Sequence, residues 1–224
     1  MRTRTLPIFP LPLVLFPGAI EPLHIFEPRY RQMLSDCQEG DGRFGLAYVR
    51  ATPYTDPSPS PGAVGCRAHI ETVQRMPDGR YNIMTLGEER FLLREFVETD
   101  RLYRVAVVEP FDDEPFDENV ADRADRVRTA FALYAQAVGR LTQLPEPTAD
   151  LPEDPADLSF QVAAALDLAP REKQGLLELR SVSDRLQRLA ATLLRLRHEV
   201  ERQATIQRRT KGNGGRASDM DLRE

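Results

Sequence analysis

The first part of the chain is rich in apolar residues, but prolines divide it into short pieces. The apolar run extends from Leu6 to Ile25 and contains prolines at positions 7, 10, 12, 17 and 22. Each proline fixes φ and removes a backbone donor, so no continuous helix can form here. Because a bilayer crossing would need such a helix, we expect no membrane segment. The pattern predicts short extended segments and tight turns, buried in a folded domain.

Up to about residue 110 the pattern is mostly that of β-strands. Extended pieces are predicted by β-branched, aromatic and alternating residues at 22–25, 44–49, 64–75, 80–85, 91–97 and 103–108. The sequence Pro77-Asp78-Gly79 predicts a turn between two of them. One helix is predicted after Pro28, with a buried face at positions 30, 33, 34 and 37. Consecutive short strands favour a barrel or a folded sheet. Residues 51–62, rich in Pro and Ser, are predicted to form a mobile surface loop.

The pattern changes after residue 110. Residues 111–118 are predicted to form an acidic linker. Apolar stripes, capping residues and prolines predict four helices. The first spans 118–142, the second starts at Pro155 after the cap Asp154, the third runs from Pro170 to Leu179, and the fourth follows the cap Ser181. The last helix has a heptad-like seam of Val182, Leu186, Leu189, Leu193, Leu196 and Val200. We therefore divide the chain into a β domain at 1–110, a helical domain at 111–208 and a disordered tail at 209–224.

Composition narrows the classes of function. The 224 residues carry a net charge of −5, and 41% of them are hydrophobic. This balance is ordinary for a globular protein and gives no general attraction to nucleic acids or anionic membranes. The two cysteines, Cys37 and Cys66, are too few for a disulfide framework, which agrees with a reducing, cytoplasmic location. Scattered His and Cys residues show no metal-ligand spacing.

Several short motifs stand in a characteristic order. They are LPIFPL at 6–11, FPG at 16–18 and IFEPRY at 25–30, followed by weaker motifs at 65–70, 78–81, 87–91, 158–163 and 173–178. In this order they resemble the N-terminal substrate-binding (LON) domain of Lon proteases, and most of all the free-standing bacterial proteins made of that domain alone. The resemblance covers residues 5 to 200. It implies an α+β fold, in which a PUA-like β pseudo-barrel precedes a C-terminal helical bundle.

The motifs of Lon chemistry are missing from this sequence. A phosphate-binding loop needs a lysine after its glycines, whereas the stretch at 211–216 places Lys211 before them. Only one other lysine, Lys173, is present, and neither lies in a Ser-Lys protease motif. Pairing of Cys37 with His24 or His69 has no supporting signature. We therefore expect no catalytic residue, cofactor or metal, and a peptidase remains only a third hypothesis.

The candidate site lies in the N-terminal motifs. Candidates for a peptide-binding groove are Phe9, Leu11, Phe16, His24, Phe26, Glu27, Arg29 and Tyr30. The alternative for the apolar residues is burial in the core. For Glu27, Arg29 and Tyr30, the alternative is a helix start with local charge pairing and packing. His24 has the further interpretation of an ordinary strand histidine.

The resemblance implies a non-enzymatic module that recognises polypeptide. A free-standing copy would act as an adaptor, or would bind unfolded or specific protein segments, with a Lon-type protease as a further partner. The alternative is an RNA-binding protein, because PUA-like barrels resemble RNA modules. The basic residues at 195–216 would serve that role, but no interleaved aromatics support base stacking. The C-terminal seam predicts packing within its own domain, with a homodimer as the alternative.

Overall fold

The computed structural model describes residues 3–50, 58–142 and 150–213, with side chains up to residue 207. Its strands are β1 (Arg4–Leu11), β2 (Ile20–Ile25), β3 (Arg43–Tyr48), β4 (Val64–Arg75), β5 (Tyr81–Val97) and β6 (Arg104–Pro110). Its helices are α1 (Pro28–Glu39), α2 (Val120–Thr142), α3 (Pro155–Ala165), α4 (Pro170–Leu177) and α5 (Val182–Asn213). Most of the predicted loop at 51–62, and the predicted tail from residue 214 onward, lie outside the described residues.

The six strands form one sheet that closes on itself. Their order is β2-β5-β4-β3-β1-β6, and an additional pairing of β6 with β5 closes a ring of five strands. The neighbours are antiparallel except for β1 and β3, which are parallel. The prediction of an α+β protein with an N-terminal pseudo-barrel is therefore confirmed. Strand β2 lies outside the closed ring and pairs with β5 alone among the described strands.

Strand β5 corrects one prediction. The sequence predicts separate strands at 80–85 and 91–97, but β5 runs without a break from Tyr81 to Val97. Its first half pairs with β2 and its second half with β6, while β4 accompanies both halves. The residue between the halves is Gly87, where any Cβ would stand only 2.1 Å from the Phe16 carbonyl oxygen. Glycine therefore marks a close approach of two backbones here, not the end of a strand.

The prolines of β1 are placed where they disturb the barrel least. Pro7 pairs with Val105 of β6, and Pro10 pairs with Ala47 of β3. The pairing with β6 ends at Ile8, where that with β3 begins, so each proline has a strand on one side only. A missing backbone donor can be accommodated on the unpaired side. The predicted extended character of this segment is confirmed.

The helices follow the predicted signals closely. Helix α3 is capped by Asp154, whose side chain accepts bonds from the N–H groups of residues 156 and 157 at 2.8 and 3.0 Å. Helix α5 is capped by Ser181, whose hydroxyl oxygen accepts a bond from Asp184 N at 3.1 Å. The helix α5 continues to Asn213, beyond the predicted limit at 208. The seam of α5 packs largely against α2, as the sequence predicts.

Two main apolar clusters hold the fold together. One fills the barrel and includes Phe9, Phe44 and the buried face of α1. The other lies between the barrel and the helices, and joins Val14, Phe16 and Val64 to buried residues of α2, α3, α4 and α5. The change from strands to helices follows Pro110 as predicted, yet this second cluster is built from both parts. Among the described residues, no helix is both long and apolar enough to cross a bilayer.

Candidate functional site

Three of the aromatic candidates belong to the core. Phe9 is buried with its ring centroid 4.2 Å from that of Tyr30, which is also buried. Phe16 is buried with its centroid 6.2 Å from that of Phe160 in α3. Leu11 is partly buried and packs against the barrel cluster. For Phe9, Phe16 and Tyr30 the structure supports the core interpretation, because a side chain enclosed by its own fold offers no surface to a peptide.

The charged candidates at the start of α1 interact locally. Arg29 Nη2 lies 2.8 Å from Glu27 Oε2, and the Arg29 guanidinium stands 4.6 Å from the centroid of the Tyr30 ring. Both charged side chains remain partly exposed. Glu27 occupies the position before the helix without a side-chain capping bond. These contacts are those of the structural alternative, in which the pair supports the helix start.

His24 and Phe26, in contrast, lie on an exposed apolar surface. Side chains alternate across a strand, and the outward positions of β2 are Ile20, Pro22 and His24. Ile20 is 63% exposed, and Phe26, directly after the strand, is 57% exposed. The ring centroids of His24 and Phe26 are 5.9 Å apart, and His24 Nδ1 lies 2.7 Å from Asn82 Oδ1. Exposed apolar side chains thus border both ends of β2.

A shallow groove of about 340 Å³ crosses the outer face of this part of the sheet. Two rows of paired residues line the groove, and each row crosses β2, β5 and β4. One row is Pro22, Met84 and Thr72, and the other is His24, Asn82 and Gln74. Met84 is another exposed apolar residue. We name the surface formed by Ile20, Pro22, His24, Phe26 and Met84 the β2 face. Sequence reasoning found two of its five residues, and Ile20, Pro22 and Met84 were missed.

The second feature of this region is the open edge of β2. Since no described strand pairs with its other side, every second residue directs its N–H and C=O groups away from β5. At the base of the strand, Glu21 is half-buried; burial raises the pKa of its carboxyl, and the nearby Lys173 ammonium partly opposes this. The β2 face and its edge together offer apolar contacts and main-chain hydrogen bonds to one extended segment.

A separate polar cluster lies buried between the barrel and the helices. Arg90 of β5 and Arg185 of α5 share the carboxylate of Asp113, with N···O distances of 2.5 and 2.8 Å to Oδ1. Arg90 also donates to the carbonyl oxygens of Leu177 and Leu179 at 2.6 and 2.7 Å. We name Arg90, Asp113 and Arg185 the buried junction. Desolvation lowers the pKa of Arg90 to about 10, so the guanidinium stays charged at neutral pH.

The remaining titratable candidates show no reactive arrangement. Both cysteines are buried, and burial raises the pKa of Cys37 to about 12 and that of Cys66 as well. Such thiols are protonated at neutral pH and poor nucleophiles. His69 Nδ1 lies 2.9 Å from Glu71 Oε1, so each candidate histidine has a polar neighbour other than a cysteine. Within the described residues, no group of three His, Cys, Asp or Glu side chains could hold a metal ion.

The architecture is a closed ring of five strands with one outlying edge strand, backed by helices. Residues 5–195 match the family model of the substrate-binding domain of the ATP-dependent protease La (LON). The chain therefore belongs to the LON substrate-binding domain family. The match covers this domain of Lon and not its ATPase or protease domains.

Relatives and solved structures agree with this assignment. The chain is 27% identical over 186 residues to the Lon protease of Flavobacterium johnsoniae, covering 81% of the chain and 23% of the relative. It is 28% identical to Lon protease 2 of Herpetosiphon aurantiacus, covering 90% and 26%. The chain thus spans about a quarter of the length of these relatives.

Two solved structures share the fold. The N-terminal domain of the Mycobacterium avium complex Lon protease superimposes with a TM-score of 0.67 at 18% identity, over 87% of this chain and 98% of that one. The Lon N-terminal domain protein of Xanthomonas campestris gives a TM-score of 0.58 at 26% identity, over 84% and 98%. The fold of this chain is therefore that of the Lon N-terminal domain.

Proposed function

We propose that this chain binds extended polypeptide segments, and that the β2 face with the open edge of β2 is its binding surface. The observation that supports this proposal is the position of exposed Ile20, Phe26 and Met84 beside an edge of β2 with which no described strand pairs. A peptide laid along this edge would add a strand to the sheet. The substrate-binding role of the family supports the proposal.

The chemistry of the surface suits unfolded or locally extended segments. An extended backbone presents N–H and C=O groups at the spacing of a β-strand, and a strand edge can satisfy them. Apolar side chains on alternate positions of the segment would contact Ile20, Pro22 and Phe26. Such side chains are buried in folded proteins, so the surface would favour chains that have not yet folded or have lost their fold.

We further propose that the chain acts without catalysis, as a substrate-holding module or adaptor in the cytoplasm, and that a Lon-type protease is one partner. The match to the substrate-binding domain supports this role, as do protonated, buried thiols. This proposal reduces the set of groove residues that the sequence predicted. Of its eight residues, only His24 and Phe26 belong to the proposed surface.

The test measures fluorescence anisotropy of a labelled, permanently unfolded polypeptide titrated with the protein. We expect saturable binding by the wild type, and a dissociation constant raised at least about tenfold by Phe26→Asp, since a charge would enter the apolar contact. The matched control is Phe116→Asp, at an aromatic residue that is 50% exposed outside the β2 face. Equal binding by wild type and Phe26→Asp would refute the proposed surface.

Salt separates this proposal from the RNA alternative. Apolar contacts and main-chain hydrogen bonds change little between low and physiological salt, whereas phosphate contacts weaken steeply. We expect the peptide affinity to survive added salt. Tighter, strongly salt-dependent binding of a single-stranded RNA, with none of the polypeptide, would favour the alternative.

A further inference from the structure

The hydrogen bonds around Gly87 show which main-chain groups at the start of β2 face the sheet. Gly87 N donates to the carbonyl oxygen of Ala19, the residue directly before β2, at 2.8 Å. The next pair along the two strands is Ile20 with Leu86. Since bonded and non-bonded pairs alternate in an antiparallel ladder, Ile20 makes no main-chain hydrogen bond to Leu86. The N–H and C=O groups of Ile20 therefore point away from β5.

The same alternation assigns the rest of β2. Its register with β5 continues without a shift, so Pro22 and His24 also direct their main-chain groups to the open edge, and residues 21, 23 and 25 bond to β5. The chemistry of Pro22 agrees with this assignment. A proline has no N–H with which to bond β5, and an edge strand accommodates it on the open side. Two independent observations therefore give the same register.

The open edge consequently offers more acceptors than donors. Its acceptors are the carbonyl oxygens of Ile20, Pro22 and His24, and its donors are the N–H groups of Ile20 and His24 alone. Any residue other than proline at position 22 would add a third donor. The missing donor lies in the middle of the row, where an added segment would make its central main-chain contact.

We propose that Pro22 limits the affinity of the β2 edge for extended polypeptide segments, so that each segment is held reversibly. This inference rests on the proposed function of the edge. A segment paired with β2 can donate to the Pro22 carbonyl oxygen, but the segment's own carbonyl group opposite Pro22 finds no donor on β2 and stays hydrated. The apolar contact is kept, because the Pro22 ring remains part of the β2 face.

Variants that add or remove one donor test the proposal by fluorescence anisotropy with the labelled, permanently unfolded polypeptide. Pro22→Val supplies the missing N–H, and we expect the dissociation constant to fall by a factor of about 2 to 10, as one net hydrogen bond allows. Ile20→Pro removes a donor from the same edge and should raise the dissociation constant by a similar factor. Ile20→Val keeps that donor and should raise it less. Pro10→Val, at a proline of β1 outside the β2 face, is the matched control and should leave it unchanged.

Amide hydrogen exchange of the free protein, followed for each residue by NMR, tests the register without any ligand. We expect the amides of Ile20 and His24 to exchange fast, because they face the open edge. The amides of residues 21, 23 and 25 should be protected by their bonds to β5. The reverse pattern would refute the register, and with it the role given to Pro22.

The binding outcomes separate this inference from the proposed function. Saturable binding by the wild type and weak binding by Phe26→Asp, with no gain in affinity for a folded Pro22→Val, would leave the proposed function intact and overturn the role of Pro22. No binding by either the wild type or Pro22→Val would overturn both. Far-UV circular dichroism and thermal unfolding show that each variant folds. Pro22→Ala supplies the same N–H and takes the place of Pro22→Val if that variant does not fold.

Discussion

Two carboxylates in this protein each bind two arginines, but their surroundings differ. In the buried junction, Asp113 lies between Arg90 and Arg185, whose side chains are almost fully buried. On the barrel, Glu88 lies between Arg43 and Arg67 at 2.9 and 2.8 Å, and all three side chains retain some exposure. The chemistry is the same in both places. Burial therefore decides how much the fold depends on each carboxylate.

The junction also depends on groups that the barrel network lacks. In addition to its bonds with Asp113, Arg185 donates a hydrogen bond to Ser159 Oγ at 2.6 Å. Its guanidinium carbon lies 4.0 Å from the centroid of the Phe160 ring. Two positive charges share one negative charge there, and neutral oxygens and an aromatic ring offset the excess. The contacts come from β5, the linker, α3 and α5, so the junction ties the helices to the barrel. The Glu88 bonds join β3, β4 and β5, and the network continues through Arg67, Glu89 and Arg4 to β1, so it stays on the barrel.

The largest expected effect comes from removing Asp113, the carboxylate that lies between two buried arginines. Asp113→Ala leaves two buried guanidiniums without a counter-charge, and we expect the free energy of unfolding to fall by about 3–5 kcal/mol. Urea denaturation measures it. The control is Asp112→Ala at the neighbouring exposed position, whose side chain has no part in the junction. Similar stability for the two variants would contradict the role given to Asp113.

A smaller effect is expected on the barrel. Glu88→Gln removes the charge between Arg43 and Arg67, and we expect a loss of about 1 kcal/mol, because water and salt already screen partly exposed pairs. The same denaturation experiment applies. Glu199→Gln, in an exposed pair with Arg202 on α5, serves as the control and should change nothing measurable. A loss as large as that of Asp113→Ala would remove the contrast between the two sites.

The smallest effect concerns pH. Hydrogen bonding to Arg43, with the nearby Arg67 charge, lowers the pKa of Glu88 in the folded protein. Its contribution to stability is therefore present above the ordinary carboxyl pKa and disappears as pH falls through the lowered value. From pH 7 to roughly pH 3, below the usual value for Glu, the wild type should lose more stability than Glu88→Gln. Parallel pH profiles would show that Glu88 contributes nothing through its charge.

Local signals predicted much of this fold. Asp154 and Ser181 cap helices because their side-chain oxygens accept bonds from free N–H groups one turn ahead, which needs no tertiary information. Likewise, Gly79 adopts a φ of 80° in the predicted turn. The strand break predicted between residues 85 and 91 was wrong. Gly87 is there because the Phe16 backbone, which is distant in sequence, passes too close for a side chain. Contacts of that kind leave no local pattern.

The candidate site was predictable only in part, for a related reason. Phe16 and Phe26 look alike in sequence, since both lie in short apolar motifs bounded by proline or charge. Phe16 is buried because helix α3 covers it, whereas Phe26 is exposed because no element in the described part of the chain covers it. The junction was missed because the acidic linker offers several carboxylates. Asp113 is selected among them by tertiary packing, which brings Arg90 of β5 and Arg185 of α5 to its carboxylate.

The apolar cluster between the barrel and the helices has a consequence for folding during synthesis on the ribosome. Val14 and Phe16 lie near the N-terminus of the chain, yet they pack with residues such as Leu158 and Leu189, which a ribosome makes much later. Until those residues emerge, the nascent barrel has an apolar side without its native cover, open to chaperones and to neighbouring chains. A polypeptide stopped at Pro110 would keep that side permanently, and we expect it to aggregate instead of persisting as an isolated barrel.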